Sequence, residues 1–123
     1  MRIDHVVIAV SDFEHSNAFY RDVVRAEIVQ IDGRIAYRLG GQQLNVHGPG
    51  TRPAMVARIP IAPGNSVICF EWEGPIAGAL DHLRSWNVRV EAGPMVRAGA
   101  KGRGTSVYFR DPDGTLLELI SYS

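Results

Sequence analysis

Two ionisable side chains stand on segments that are otherwise apolar, one near each end of the chain. Glu118 interrupts the segment TLLELI at 115–120, and His5 opens the segment HVVIAV at 5–10. A carboxylate is rarely buried unless a cation or hydrogen-bond donors compensate its charge. Imidazole and carboxylate groups are common ligands of divalent metals, so the pair predicts a metal centre.

A second histidine extends this candidate set. His47 lies two residues after Asn45, so the two side chains share one face of a predicted strand. With His5 and Glu118, His47 makes a set of two histidines and one carboxylate, which leaves coordination positions open for water or substrate oxygens. Asn45 itself is a poor metal ligand, and we expect it to contact substrate.

Each candidate also has a purely structural interpretation. His5 would then be a histidine at the edge of the core that is hydrogen-bonded to the backbone. Glu118 would pair with an arginine such as Arg110. His47, which stands just before Gly48, would be a solvated loop residue.

Two further segments bear on substrate binding. Cys69 shares a strand face with Val67, which aims its thiol at the predicted cavity. Because no base or cation is near it in sequence, we expect a small buried hydrophobe. The segment AGAKGRG at 98–104 predicts a flexible cationic loop in which Lys101 holds an anionic substrate group, or else a plain surface loop.

The elements that must position these residues occur twice in the same order, strand, helix, then three strands. The pattern of each half predicts an α+β domain built from two βαβββ modules. Ser11 and Glu14 have the spacing of a capping box at the first helix. The predicted strands are 3–10, 26–31, 34–39, 42–47, 66–72, 88–91, 105–110 and 115–122, and the predicted helices run to about 24 and over 75–86.

The chain length of 123 residues suits a single domain, 1–123. Module 1 covers about 1–48, module 2 about 66–123, and a connector of about 49–65, rich in proline and glycine, joins them. Thirteen basic and thirteen acidic side chains cancel, which argues against nucleic acid or an anionic membrane as a partner. The lone cysteine and the absence of a predicted signal peptide or membrane span favour the cytoplasm.

Four segments together resemble the vicinal oxygen chelate superfamily. They are HVVIAV at 5–10, Phe19-Tyr20, FRDPDG at 109–114 and LEL at 117–119. This superfamily includes glyoxalase I, fosfomycin-resistance proteins, extradiol dioxygenases and bleomycin-resistance proteins, and the resemblance covers nearly the whole chain. It implies a glyoxalase-like fold, in which each module curls into half a barrel and the mixed sheets enclose a metal site, often across a homodimer interface.

The resemblance also implies roles for individual residues. His5 matches the ligand on the first strand, and Glu118 matches the carboxylate ligand on the last. Asn45 stands where the family often has a carboxylate, and Val67 stands where it often has a histidine. Tyr108 matches a pocket tyrosine of the fosfomycin-resistance proteins.

Within the superfamily the chain looks most similar to small lactoylglutathione lyase-like proteins. The resemblance therefore implies a lyase or isomerase that uses Ni, Zn, Mn, Fe or Co and acts on a small substrate with neighbouring oxygens, with Glu118 moving a proton. The alternatives are a metal-free drug-binding protein of the bleomycin-resistance type, an extradiol dioxygenase, and a thiol transferase of the fosfomycin type.

Overall fold

The computed structural model describes the whole chain, Met1–Ser123. Two βαβββ modules follow one another, so the predicted α+β class is confirmed. The elements in chain order are β1 (His5–Ala9), α1 (Phe13–Asp22), β2 (Glu27–Ile31), β3 (Arg34–Leu39), β4 (Gln42–His47), β5 (Val67–Glu71), α2 (Ile76–Ser85), β6 (Ala92–Gly99), β7 (Gly102–Arg110) and β8 (Leu116–Ser121). Neither helix has the length and apolar character needed to cross a membrane.

The chain divides into two compact units. The N-terminal unit comprises Met1–Ser66 with Pro112–Gly114, and the C-terminal unit comprises Val67–Asp111 with Thr115–Ser123. Each unit contains one helix and one four-stranded mixed sheet, with strand orders β1-β4-β3-β2 and β5-β8-β7-β6. In each sheet the first strand of the module pairs in parallel with the last, and the other pairs are antiparallel. The single domain expected from chain length stays a prediction.

The core of the N-terminal unit forms where α1 covers one face of its sheet. Tyr20 of α1 stacks on Tyr37 of β3, with ring centroids 4.6 Å apart, and neither side chain is exposed. The Tyr37 hydroxyl lies 2.7 Å from both Ser16 Oγ and Asn17 Oδ1, so this buried polar group is satisfied. Because side chains alternate along a strand, the opposite face of the sheet carries the candidate residues of this unit.

The start of α1 differs from the prediction. Asp12 is the N-cap, and its Oδ1 accepts a hydrogen bond from the His15 amide at 2.9 Å. Ser11 instead donates its amide to Asp113 Oδ2 at 3.0 Å, and its hydroxyl donates to the other oxygen of the same carboxylate. The predicted capping box of Ser11 and Glu14 is therefore wrong, because Asp113 in the β7–β8 turn engages Ser11.

The core of the C-terminal unit lies between α2 and the strands β7 and β8. Leu83 of α2 is fully buried, as are Val107 and Leu117 on the strands. The Thr115 amide donates to Asp111 Oδ1 at 2.9 Å, which closes the turn between β7 and β8. As in the first unit, the sheet face away from the helix carries the candidate residues.

Two predicted features of this unit are wrong. Residues 88–91 are not a strand, because β6 lies further along the chain and pairs antiparallel with β7. The predicted flexible loop at 98–104 is instead the tip of the β6–β7 hairpin, with Gly99 and Gly102 in register. A Cβ on Gly99 would collide with the Tyr122 hydroxyl, and one on Gly104 would lie 2.7 Å from Ile120 Cγ1. Glycine here permits close packing and does not loosen the chain.

Candidate functional site

His5, Asn45 and His47 lie on one face of the N-terminal sheet, on the adjacent strands β1 and β4. The parallel register pairs His5 with Gln43 and Ala9 with His47, so the histidines are four residues apart along the strands. At about 3.3 Å per residue this is about 13 Å, although both line one pocket of 440 Å³. That separation argues against one ion taking both imidazoles. The ligand roles of His5, His47 and Glu118 stay a prediction.

His5 has a carboxylate neighbour that orients its ring. Its Nδ1 lies 2.8 Å from Asp4 Oδ2, and the His5 side chain is 44% exposed. A carboxylate only accepts hydrogen bonds, so this contact requires the proton on Nδ1 and leaves the Nε2 lone pair free. Ligand histidines in metal sites commonly have such a partner. The alternative interpretation of His5, a bond to the backbone, is replaced by a bond to a side chain.

Asn45 belongs to a line of polar side chains across the sheet. Gln43 Nε2 donates to Asn45 Oδ1 at 2.7 Å, and Arg38 Nη2 in turn donates to Gln43 Oε1 at 3.3 Å. The amide oxygen of Asn45 is thus already occupied by a neighbour. The amide nitrogen of Asn45 is therefore the atom that could donate a hydrogen bond to a substrate.

The N-terminal unit contains an apolar cleft of 590 Å³. Its walls come from the end of β1, from His47 and from the connector, and include Ala9, Val10, Met55, Val56 and Ile61. The connector predicted from its prolines and glycines therefore walls a cavity. Clefts of this size and character are typical of small-molecule sites.

Cys69, Glu118 and Tyr108 form a row across the C-terminal sheet. The central strand β8 places Glu118 in register with Cys69 on one side and with Tyr108 on the other. Side chains in such cross-strand positions have Cβ atoms about 4.5–5.5 Å apart. We call the face that carries this row, away from α2, the site face.

Glu118 is half-buried and forms no ion pair with any basic side chain. Arg110, the arginine considered from sequence as its partner, donates to Glu91 Oε2 at 3.1 Å. A half-buried carboxylate without a counter-ion is uncommon unless it has a chemical role. The position is therefore the strongest candidate for a reactive group in this unit.

Cys69 stands beside Glu118 in the sheet register, and its thiol donates to the Phe70 carbonyl oxygen at 3.9 Å. Partial burial of the sulfur, followed by the negative charge and the nearby acceptor oxygens of Glu118, raises the pKa of Cys69 to about 12. The thiol is therefore protonated at neutral pH and is not a thiolate nucleophile. The predicted buried hydrophobe is wrong in one respect: the residue as a whole is exposed, because β5 is an edge strand of its sheet, and its sulfur is only partly buried.

Tyr108 has an arginine partner that the sequence did not indicate. Arg97 Nε donates to Tyr108 Oη at 3.2 Å, and the Arg97 Cζ atom lies 6.0 Å from the ring centroid. Sequence reasoning missed Arg97 because it did not assign residues 92–97 to a strand. The only available signal was the position of Arg97 within the segment MVRAG at 95–99.

Lys101 is exposed at the tip of the β6–β7 hairpin and already has an acidic partner. Its Nζ lies 2.6 Å from Glu71 Oε1. The hydrogen bond to Glu71, and then the charge of that carboxylate, raise the pKa of Lys101. The ammonium predicted to hold an anionic substrate is thus neutralised by a side chain of its own unit.

The side chains of a single chain do not by themselves fit a metal centre. No three histidine, cysteine, aspartate or glutamate residues are grouped closely enough to hold an ion. His5 belongs to the N-terminal unit and Glu118 to the C-terminal unit. We therefore derive no reaction step through a metal.

Comparison with known proteins identifies close relatives over nearly the whole chain. Glyoxalase domain-containing protein RDO1 of Mycosarcoma maydis is 37% identical over 120 residues, covering 98% of this chain and 68% of that protein. Virulence protein STM3117 of Salmonella typhimurium is 34% identical over 122 residues, covering 98% and 84%. The crystal structure of STM3117 superposes with a TM-score of 0.93, covering 100% of this chain and 98% of that one.

More distant structures share the fold. Lactoylglutathione lyase from Agrobacterium tumefaciens is 26% identical with a TM-score of 0.73, covering 98% of this chain and 93% of that one. The fosfomycin resistance protein FosX of Listeria monocytogenes, solved as a mutant with Mn(II), is 20% identical with a TM-score of 0.67, covering 97% and 88%. Divalent metals and small-molecule ligands thus occur among such proteins.

The sequence profile that matches residues 2–119 is described as Glyoxalase/Bleomycin resistance protein/Dioxygenase superfamily. This match spans both modules, and the relatives above share its fold. The chain belongs to the glyoxalase/bleomycin resistance/dioxygenase superfamily, the vicinal oxygen chelate group that its sequence motifs resemble.

Proposed function

We propose that this chain is a lyase or isomerase that acts on a small molecule with neighbouring oxygens, and that Glu118 moves the proton. The observation that carries the proposal is the half-buried Glu118 carboxylate, which has no basic partner and stands between the Cys69 thiol and the Tyr108 phenol. The relationship to lactoylglutathione lyase, at 26% identity, supports the same reaction class.

The row of side chains supplies the groups that proton transfer next to a carbonyl needs. Glu118 takes a proton from the carbon beside the carbonyl and returns it to the neighbouring atom. Cys69 lies in register beside this carboxylate and presents a protonated thiol to it. The Tyr108 hydroxyl donates to a substrate oxygen next to the reacting carbon.

Solvent exchange tests this assignment without knowledge of the natural substrate. The protein is incubated in heavy water with a panel of hydroxycarbonyl compounds, including the hemithioacetal of methylglyoxal and glutathione, and NMR follows deuterium entering at carbon. Glu118→Gln should slow exchange at least about 100-fold, since a positioned base contributes roughly that much. Glu73→Gln, which removes an exposed carboxylate of the same unit, is the control. If Glu118→Gln and wild type incorporate deuterium at the same rate, the proposal is wrong.

A divalent ion, one of Ni, Zn, Mn, Fe or Co, remains part of the proposal, with its ligands drawn from His5, His47 and Glu118. Because the two histidines of one chain are four residues apart along the strands, that chain would give a single ion one imidazole and not both. Superfamily membership and the free Nε2 of His5 support it. When bound, such an ion supplies Lewis-acid stabilisation of substrate oxygens. Elemental analysis of protein purified without chelator tests it: a stoichiometric metal should vanish in His5→Ala and in Glu118→Ala. Metal retained by both variants would contradict these ligand assignments.

A second candidate function is the metal-free binding of a drug or other apolar small molecule. The 590 Å³ apolar cleft of the N-terminal unit favours it. Calorimetric titration with apolar antibiotics should then give binding that Met55→Glu abolishes and Glu118→Gln preserves. No binding by wild type would remove this candidate.

The remaining alternatives have less support. The ion pair of Lys101 with Glu71 weakens the anion pocket that a fosfomycin-type thiol transferase needs. Val67 stands where an extradiol dioxygenase usually has a histidine, according to the family resemblance.

A homodimer in the cytoplasm stays a proposal. Val6, Val67 and Val96 are exposed on the edge strands β1, β5 and β6, and such apolar side chains suit a subunit interface. Light scattering coupled to size-exclusion chromatography measures the mass directly. A monomer across the micromolar range would contradict the dimer.

A further inference from the structure

We propose that Arg97 and Tyr108 form an anion-binding subsite on the site face, which selects substrates that carry a carboxylate. This inference rests on the proposed function, because the bound anion is a substrate only if the chain is an enzyme. It narrows the substrate class to small organic acids. The subsite itself is argued from charge pairing and hydrogen bonding within the C-terminal unit. The family resemblance indicated Tyr108 as a pocket residue, and nothing in the sequence indicated Arg97.

Three cationic side chains stand on the site face or at its hairpin end, and two of them are neutralised. Lys101 Nζ lies 2.6 Å from Glu71, and Arg110 Nε lies 3.1 Å from Glu91. Arg97 has no carboxylate partner and donates only to Tyr108 Oη and to the Val96 carbonyl oxygen, each at 3.2 Å. Arg97 therefore retains an uncompensated positive charge and free N–H groups.

The guanidinium of Arg97 is accessible and held in place. The residue is exposed, so a ligand can reach it from solvent. The hydrogen bond from Nε to Tyr108 and the position of Cζ, 6.0 Å from the ring centroid, fix the end of the side chain. A guanidinium presents parallel N–H groups that match the two oxygens of a carboxylate, which a lysine ammonium does not.

Tyr108 adds a second donor beside the first. A guanidinium has no acceptor atom, so in the contact with Arg97 the tyrosine oxygen must be the acceptor. The proton of the Tyr108 hydroxyl then has no acceptor within the chain and is available to a ligand oxygen. Arginine and tyrosine thus offer two donors to one anionic group.

The neighbouring Glu118 orients the ligand. Tyr108 and Glu118 are in register on adjacent strands. A carboxylate of the ligand is attracted to Arg97 and repelled by Glu118, so the uncharged part of the ligand points toward Glu118. A small hydroxy acid or keto acid bound in this direction presents its reactive carbon to the base.

Lactate and lactamide are matched probes, because they have the same shape and differ in charge. Titration of the isotopically labelled protein is followed by NMR at the Arg97 Nε–H and at the Tyr108 ring. Lactate should shift both signals and saturate, and lactamide should not. Arg97→Gln should raise the lactate dissociation constant at least about tenfold, as loss of a charge-assisted hydrogen bond does. Tyr108→Phe should raise it by a smaller factor.

Arg103→Gln is the matched control, because Arg103 is an exposed arginine in register with Ala98 on the opposite face of the hairpin. It should bind lactate as wild type does. Equal shifts from lactate and lactamide, or lactate binding that survives Arg97→Gln in a folded variant, would overturn the subsite.

Comparing the lactate titration with the solvent exchange of Glu118→Gln separates this inference from the proposed function. If lactate fails to bind while Glu118→Gln still abolishes solvent exchange, only the subsite is wrong. If lactate binds at Arg97 while exchange persists in Glu118→Gln, the subsite stands and the proposed base is wrong.

Discussion

The position of the Cys69 thiol beside Glu118 leads to a quantitative prediction about thiol reactivity. The pKa of Cys69 rises from 9.0 to about 12, with burial as the largest of three causes and Glu118 responsible for the other two. The substitution Glu118→Gln should lower the pKa of Cys69, because it removes the charge and the acceptor, while burial should keep the pKa above 9.0.

These values predict the rate at which Cys69 attacks an aromatic disulfide reagent. At about pH 8 a thiol of pKa about 12 has roughly one molecule in ten thousand ionised. Loss of the whole shift, from about 12 to 9.0, would raise the ionised fraction about 1000-fold, but a less basic thiolate is also less nucleophilic. Because burial remains in Glu118→Gln, the net acceleration should stay below about 30-fold. Because Cys69 is the only cysteine, the released chromophore reports this site alone.

Two controls make this measurement decisive. Glu73→Gln, which removes a carboxylate that does not influence Cys69, should react as slowly as wild type. Cys69→Ser should release no chromophore. The reasoning is refuted if wild type reacts at the rate of an ordinary exposed thiol, or if Glu118→Gln reacts no faster than wild type.

Three further predictions concern stability. Between about pH 9 and 12 the unfolded Cys69 thiol ionises while the folded one keeps its proton, so the free energy of unfolding should fall as pH rises through this window. Urea unfolding measures the fall, and Cys69→Ser should lack it. Asp12→Ala should speed hydrogen exchange of the His15 amide and lower the free energy of unfolding by about 1 kcal/mol, because it removes the N-cap acceptor. Ser11→Ala should leave that amide protected. Faster exchange in Ser11→Ala than in Asp12→Ala would instead support Ser11 as the N-cap. Tyr37→Phe should lower the free energy of unfolding, measured in urea, by about 1–3 kcal/mol, because it removes a buried hydroxyl that hydrogen-bonds Ser16 and Asn17. An unchanged free energy of unfolding would mean that these hydrogen bonds do not stabilise the fold.

Local turn chemistry explains why the hairpins of the N-terminal unit were predictable. The predicted strands 34–39 and 42–47 coincide with β3 and β4. Asp32 and Gly33 both have positive φ angles, 51° and 75°, as the tight hairpin turn expected for this pair requires. Turns of this kind depend on two adjacent residues, so sequence alone indicates them.

Features that depend on distant partners were not predictable. The prediction made Ser11 the N-cap of α1, but a carboxylate 102 residues away engages it and Asp12 takes the role. β6 was missed because its sequence lacks an alternating pattern and it forms by pairing with β7. Arg97 was not predicted as a site residue, because it lies on this strand.

The sequence by itself determined the order of the elements, the superfamily and the chemical types of the candidate residues, because these follow from local periodicity, turn residues and short motifs. Only the tertiary structure decided which of them become neighbours. Strand register brings Cys69, Glu118 and Tyr108 into one row although they are far apart along the chain. Distances between side chains decided which cations are neutralised, pairing Lys101 with Glu71 and leaving Arg97 without a carboxylate. Register and charge pairing arise from hydrogen bonds and contacts between distant segments, which no local pattern encodes.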